Sequence, residues 1–415
     1  MIKTKGTRPV IAAITVAIAM TAPALVGLVQ APTETLTLVT VVEVTATTDY
    51  EYGLKIGGLF AENYRYLAST FFEKVKGEGI DAAEISIKAG ELIDVLNRYY
   101  PPHLERLKGL SDRIGIPLED LVAIELYGPG LFRFGFRGCT TSASAPPATG
   151  DSKTYITWNI DGAWDMWKLF QFRIPHLVVN TVLGHNRYIS WGVPILFEDG
   201  ILNEKGLACT ANTNTQTKGT GMGLLPTWIN AMAMATCSNV YEVAELIASL
   251  PRFSGSDPLT TMLGTNYLWA DAHGGIASTE WTHSHFGVKF GEETGGIMGQ
   301  ANHNQWLDRN LTGGLGPDES PSTYARCARM WGLLREHYGH LDLATMKSIV
   351  SDHGPGNPHI GNSMTICRHF DPEAGLNQAG TGVCLIIEPN ERVINWCPGH
   401  PCREPFFRLY YGWMS

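Results

Sequence analysis

The residues best suited to covalent chemistry lie in one short run, Gly138-Cys139-Thr140-Thr141-Ser142-Ala143, followed by Asn159-Ile160-Asp161. A thiol is a competent nucleophile once deprotonated, and a run of small hydroxyl residues behind it leaves room for an incoming substrate. Taken alone, a cysteine after a glycine is more often core packing than a nucleophile. Other motifs are weaker. Gly219-Thr220-Gly221-Met222-Gly223 misses the G-x-G-x-x-G spacing and no acidic residue follows after a second strand, so it reads as a turn. Cys397-Pro398-Gly399-His400-Pro401-Cys402 could form half a zinc site, but no second ligand pair is spaced to complete it. A plain turn is the favoured reading there, ahead of a disulfide and then zinc. Neither H-E-x-x-H nor G-x-S-x-G occurs, which argues against a zincin and an α/β-hydrolase.

Composition sets the frame for these residues. The chain has 415 residues, 44% hydrophobic and 10% aromatic, enough for a large core. Its 31 basic and 40 acidic side chains give a net charge of −9, with no basic stripe after the first ten residues. A nucleic-acid partner is therefore not expected. Lys3, Lys5 and Arg8 precede an uncharged apolar stretch, with Ala22-Pro23-Ala24 and Val29-Gln30-Ala31 as cleavage options. This is the layout of an export signal over residues 1–31, or of an anchor through residues 9–31. The expected location is outside the cytoplasm, released or membrane-anchored. The even count of eight cysteines permits disulfides in an exported chain, but their irregular spacing does not look like a disulfide framework, and Asn310-Leu311-Thr312 is a glycosylation sequon.

Elements that could position the cysteine follow from periodicity. Residues 35–44 alternate with β-branched side chains and predict a strand. Helices are predicted over 52–75, 81–99, 102–114 and 117–126, with Pro101-Pro102 stopping the second. After Gly128 strands dominate, at 155–160, 188–191, 207–212, 267–270, 276–281, 382–388 and 392–396. Helices intervene at 225–236, 239–250, 321–338 and 343–350. Strand pairs separated by helix pairs imply two packed sheets covered by helices, in one domain apart from the leader.

Read together, these segments resemble the acyl-coenzyme A:isopenicillin N (6-aminopenicillanic acid) acyltransferase family of N-terminal nucleophile cysteine hydrolases, which also includes enzymes hydrolysing β-alanyl amines. The resemblance runs from about Thr48 to Phe407. Thr48-Asp49-Tyr50-Glu51-Tyr52-Gly53 is similar to the family's opening element, and Pro102–Gly109 with Ile116–Leu121 to its propeptide helices. Gly138-Cys139-Thr140-Thr141 resembles the processing site and Asn159-Ile160-Asp161 the strand facing it. Asn203–Ala208, Asn302-His303, Ser363–His369 and Pro398–Cys402 follow in the family's order.

The resemblance implies an α+β fold, a four-layer αββα sandwich preceded by a helical propeptide segment. Residues 32–138 would be the propeptide or small subunit, and 139–415 the nucleophile-bearing core, forming one compact domain. It implies a precursor cut between Gly138 and Cys139, leaving two fragments associated. Cys139 would supply the nucleophilic thiol and its freed α-amino group the base, since that amine titrates near 7.7–8.0. Asp161 would hold the amine, Asn302 would donate to the oxyanion, and Arg368 would orient Asp161. Thr140, Ser142 and Trp158 are pocket candidates. The implied substrate is a small acylated amine or amide, with acyl-coenzyme A as a candidate acyl donor and no bound cofactor or metal. Two departures bear on the pocket: Trp158 stands where the family usually has Arg or Gln, and Gly162 follows the Asp, with Trp at 164. The rivals are a papain-like cysteine hydrolase without autocleavage and a non-catalytic, membrane-tethered binding protein on the same fold.

Overall fold

The computed structural model describes residues 28–30, 36–38, 41–132, 138–163, 177–354, 364–369 and 379–410. The expected export segment lies outside these residues, apart from Leu28–Gln30. Their strand β1 pairs antiparallel with β2, Leu36–Leu38. Among the described residues no helix is long and apolar enough to cross a membrane.

Strand β3 (Val41–Ala46) leads into four helices: α1 (Asp49–Gly77), α2 (Ala82–Tyr99), α3 (Pro101–Ile114) and α4 (Leu118–Leu131). Thr48 caps α1 by accepting from the Glu51 N–H, and Asp81 caps α2 from the Ala83 N–H. Pro101 opens α3 where its missing N–H costs nothing, and Gly115 ends it at φ +72°.

The strands follow as β4 (Gly138–Ser144), β5 (Tyr155–Ala163), β6 (Leu177–Val182), β7 (Tyr188–Val193), β8 (Phe197–Asn203) and β9 (Ala208–Asn214). Helices α5 (Pro226–Thr236) and α6 (Val240–Ser249) precede β10 (Gly264–Ala270), β11 (Ile276–Trp281), β12 (Phe286–Phe290) and β13 (Ile297–Gln300). The short helix α7 (Arg309–Thr312) is followed by α8 (Pro321–Glu336) and α9 (Leu343–Val350), then β14 (Ala379–Glu388), β15 (Val393–Cys397) and β16 (Phe407–Tyr410).

Two sheets carry the site. One is eight-stranded, ordered β12-β11-β10-β9-β8-β7-β6-β3, and the other six-stranded, ordered β13-β4-β5-β14-β15-β16. Their inner faces meet in the larger core, which includes Cys139, Trp158, Ile160, Trp191 and Tyr267. Helices α8 and α9 cover the outer face of the six-stranded sheet, burying Met330, Leu334, Met346 and Ile349 against Tyr155, Cys384 and Ile386. Helices α1, α5 and α6 contact the other sheet, with α3 and α4 packed on α1 and α2 packed on α3 and α4, so the order of layers is helix, sheet, sheet, helix, as expected. Weakly patterned strands such as β6, β8, β12, β13 and β16 escape the sequence reading. Several are buried on both faces and do not alternate.

The N-terminal segment is built into the sandwich. Strand β3 pairs in parallel with β6 at the edge of the larger sheet. Buried Arg106 on α3 bridges Asp49 at 2.7 Å and donates to the Tyr188 hydroxyl at 2.7 Å, while the Tyr52 hydroxyl donates to Asn180. Helices α1 and α3 cross at Gly53 and Gly109, where a Cβ would collide with the backbone carbonyls of Arg106 and Tyr50. Gly109→Ala should lower stability by about 1–3 kcal/mol. Gly90→Ala, in α2 with no atom within 4 Å of the added Cβ, should raise it by about 0.5–1 kcal/mol. Urea unfolding midpoints of the two variants test this, and equal shifts would contradict the close crossing.

Candidate active site

Cys139 is the second residue of β4, and strand alternation decides what each neighbour faces. Gly138 pairs with Asp161 and Cys139 with Ile160 across the β4–β5 ladder. Cys139, Thr141, Trp158 and Ile160 therefore point between the sheets, and Thr141 accepts from Asn212 of the opposite sheet at 2.8 Å. Gly138, Thr140, Ser142, Asn159 and Asp161 point toward α8 and α9. Thr140 and Ser142 accordingly do not line the cavity beside the thiol. Thr140 accepts from Arg326 at 2.7 Å, and Ser142 bonds Thr157 at 2.7 Å. Trp158 does line that cavity.

Three of the expected residues, Asn302, Asp161 and Arg368, converge on the Gly138–Cys139 peptide. The Cys139 N–H donates to Asn302 Oδ1 at 2.7 Å. The resemblance gives Asn302 to the oxyanion, but here its Nδ2 is engaged, donating to the Thr213 carbonyl at 2.8 Å. In the uncut chain Asn302 presents its acceptor to the nitrogen of Cys139. Asp161 accepts from the Thr381 hydroxyl at 2.7 Å and lies 3.5 Å from Arg368 Nη1. A Cβ on Gly138 would collide with Arg368 Nη1 and stand 3.0 Å from Arg326 Nη2, so only glycine lets both guanidinium groups approach the junction.

Arg326 is the residue that sequence reasoning missed. It lies on α8, 1% exposed. Its Nη1 donates to the Cys139 carbonyl and to Thr140, and its Nη2 donates to Asn302 Oδ1 at 2.9 Å. Burial and the neighbouring Arg368 charge pull it down to about 10. In the sequence it is one of three arginines along α8, with Arg329 and Arg335, and nothing local distinguishes it.

Electrostatics in this uncut state disfavour the thiolate. Burial and then the Asp161 charge push the Cys139 thiol up to about 12, opposed in part by the Asp161 N–H, Trp158 and Arg326. Burial also raises the Asp161 carboxyl, although Arg368, Arg326 and the Thr381 hydroxyl oppose it.

Two cavities flank the junction. The thiol's side opens on a mostly apolar one of about 100 Å³, with walls that include Trp158, Trp191, Phe197 and Tyr267. Glu125 and Asp199 are also in its lining, and burial pushes Asp199 up to about 7 and raises Glu125 well above the usual carboxylate range. A polar cavity of about 420 Å³ is lined by Asn302, His303, Arg309, Glu319, Tyr324 and Arg326. Thr213 borders both.

Replacing Arg326 by Met would strip donors from the Cys139 carbonyl, Thr140 and Asn302 and leave the Asp161 charge less compensated. Such losses cost about 3–5 kcal/mol, so Arg326→Met should unfold at markedly lower urea, with Arg326→Lys between it and the parent. Equal stability of all three would show that Arg326 carries none of this.

Comparison with known proteins adds the following. The family model described as acyl-coenzyme A:6-aminopenicillanic acid acyl-transferase matches residues 182–360. That span is under half of the chain and holds Asn302 and Arg326 but not Cys139, Asp161 or Arg368. A comparison with curated proteins finds no match. Among solved structures, a mutant of the conjugated bile acid hydrolase from Clostridium perfringens is similar at 14% identity and a TM-score of 0.37, covering 66% of this chain and 97% of that one. A penicillin V acylase from Agrobacterium tumefaciens is similar at 12% identity and a TM-score of 0.36, covering 66% and 86%. Such low scores add no argument of their own. The matched span, residues 182–360, lies within a four-layer sandwich that bears a cysteine at the head of an inner strand.

Proposed function

We propose that the chain is a self-processing cysteine amidohydrolase or acyltransferase that uses Cys139 first on its own backbone and then on a small acylated amine or amide. The observation that carries this reading is the Gly138–Cys139 peptide, whose N–H donates to Asn302, with Arg326 on the following carbonyl, Arg368 crowding Gly138, and the thiol facing a cavity. In the first reaction the thiol attacks the Gly138 carbonyl carbon. The C–N bond breaks, the Cys139 nitrogen takes a proton, and a thioester forms. Water then cleaves the thioester to the Gly138 carboxylic acid and the free thiol.

The cut frees an amine between two guanidinium groups and one carboxylate. A net positive surrounding disfavours the ammonium form and pulls the amine below its usual range of about 7.7–8.0. A neutral amine can take the thiol proton during attack on substrate. Asn302 Oδ1 then accepts from that amine and orients it. The acyl group passes to the thiol, the amine product leaves, and water or a second amine collects the acyl group. Acyl-coenzyme A would serve as donor in the transfer variant. The acyl group would occupy the aromatic cavity. The buried Asp199 carboxyl there suits an acyl chain ending in an amino or hydroxyl group. We place the enzyme outside the cytoplasm, released or held by residues 9–31, with both fragments associated through β3 and the Arg106 network.

Cys139→Ala should yield one uncut, inactive chain, and Cys139→Ser should cut slowly or not at all, since a hydroxyl is far less ionised than a thiol. A cut, folded enzyme acetylated on the Cys139 amine should lose activity steeply, because the thiol remains and the base does not. Full activity after acetylation would move the base elsewhere, as in a papain-like hydrolase. The base works deprotonated, so kcat/KM should rise with pH through a midpoint below about 7.7–8.0. In any cut Arg326→Gln enzyme the midpoint should move up. Asp199→Asn should cost at least about tenfold in kcat/KM for ω-amino or ω-hydroxy acyl groups and little for plain alkanoyl ones. Equal losses on both series would remove Asp199 from acyl recognition.

A further inference from the structure

Away from the thiol, on the far side of Arg368, four potential metal ligands converge. His353 follows α9, Cys367 and His369 flank Arg368, and Cys402 lies in the turn after β15. Their ligand atoms all lie within 4.8 Å of one another. Cys367 Sγ is 3.7 Å from Cys402 Sγ and 3.8 Å from His369 Nε2. His369 Nε2 is 3.2 Å from His353 Nε2 and 3.1 Å from Cys402 Sγ. A tetrahedral zinc with Zn–S of about 2.3 Å and Zn–N of about 2.0–2.1 Å has edges of about 3.8 Å between sulfurs, 3.6 Å from sulfur to nitrogen and 3.3 Å between nitrogens. The Cys367–Cys402, Cys367–His369 and His369–His353 separations fall close to those edges, the His369–Cys402 one is shorter, and the two from His353 to the sulfurs lie within 4.8 Å.

We propose that His353, Cys367, His369 and Cys402 bind one structural zinc ion that clamps the segment carrying Arg368 to the sandwich. Two thiolates and two imidazoles form a closed set, which suits a structural zinc and leaves no open position for chemistry. The site is built rather than incidental. Cys367 is 1% and His369 6% exposed. The His400 ring stacks on His369 at 4.3 Å between centroids. The clamped backbone is tied on either side, as the Cys367 N–H donates to the Asp352 carbonyl at 3.0 Å and the Arg368 N–H to the Thr381 hydroxyl at 3.0 Å. Because Arg368 stands between two ligands, the ion would fix the backbone from which its guanidinium reaches Gly138 and Asp161. Of the cluster noticed in the sequence only Cys402 takes part; Cys397 is not in the set, and the other three ligands come from elsewhere in the chain.

A Cys367–Cys402 disulfide is the competing chemistry in an exported protein. It requires about 2.05 Å between sulfurs and leaves the two imidazoles unused. Two measurements on the full chain decide. Purified with zinc in the growth medium and stripped of loose metal by gel filtration, it should carry about one zinc per chain, and Cys367→Ser/Cys402→Ser below about a tenth of that, with Cys237→Ser as the unchanged control. Cobalt(II) added to the metal-free chain should give the intense visible bands of a tetrahedral thiolate site. If the double variant fails to fold, the cobalt spectrum and a peptide map of the parent still decide. Sub-stoichiometric zinc with no thiolate–cobalt bands, or a stoichiometric Cys367–Cys402 disulfide in the purified chain, would overturn the proposal. None of these readouts depends on enzymatic activity, so the site can fail while the proposed function stands.

Discussion

Two guanidinium groups and one carboxylate, all buried, share the space around a single peptide bond. Arg326 and Arg368 cannot be desolvated so close together without compensation, and Asp161, the Cys139 carbonyl, Thr140 and Asn302 provide it. That demand fixes much of the surrounding architecture. Strand β5 must hold Asp161 opposite Gly138, α8 must bring Arg326 beneath β4, the loop after β13 must carry Asn302, and the 364–369 segment must present Arg368. A shift of β4 by one residue would turn Cys139 away from the cavity and put Thr140 in its place.

The same arrangement separates grip from reaction. Polar groups hold the backbone from the helix side, while the thiol lies on the side of the aromatic cavity. In the uncut chain burial and the Asp161 charge keep that thiol protonated. Cleavage would place an amine beside it, changing the site from a held junction in a protein to a nucleophile with its own base. Helix α4 contributes Glu125 and Pro129 to the cavity wall, so the segment before the junction belongs to the site too.

Much of this was legible in the residues, for identifiable reasons. Long amphipathic helices and clean caps gave α1 to α3, α6, α8 and α9, and β-branched alternation gave most inner strands. Cys139, Asp161, Asn302 and Arg368, named from motif order, do converge, although Asn302 faces the Cys139 nitrogen rather than an oxyanion. Thr140 and Ser142 lie behind Cys139 because Gly138–Ser144 is a strand, which its run of small residues does not announce, and strand alternation turns them away from the cavity. Arg326, and the approach of His353, Cys367 and His369 to Cys402, were invisible because their meaning comes from tertiary contact, not from spacing.

The central claim is that Cys139 cuts the chain before it and becomes the N-terminus. A denaturing mass spectrum of the purified wild-type protein tests this most directly. The account predicts a fragment with the mass of residues 139–415, 277 residues (415 − 138), starting with an unmodified Cys139, alongside a second fragment ending at Gly138. A fully active preparation consisting of one uncut chain would contradict it.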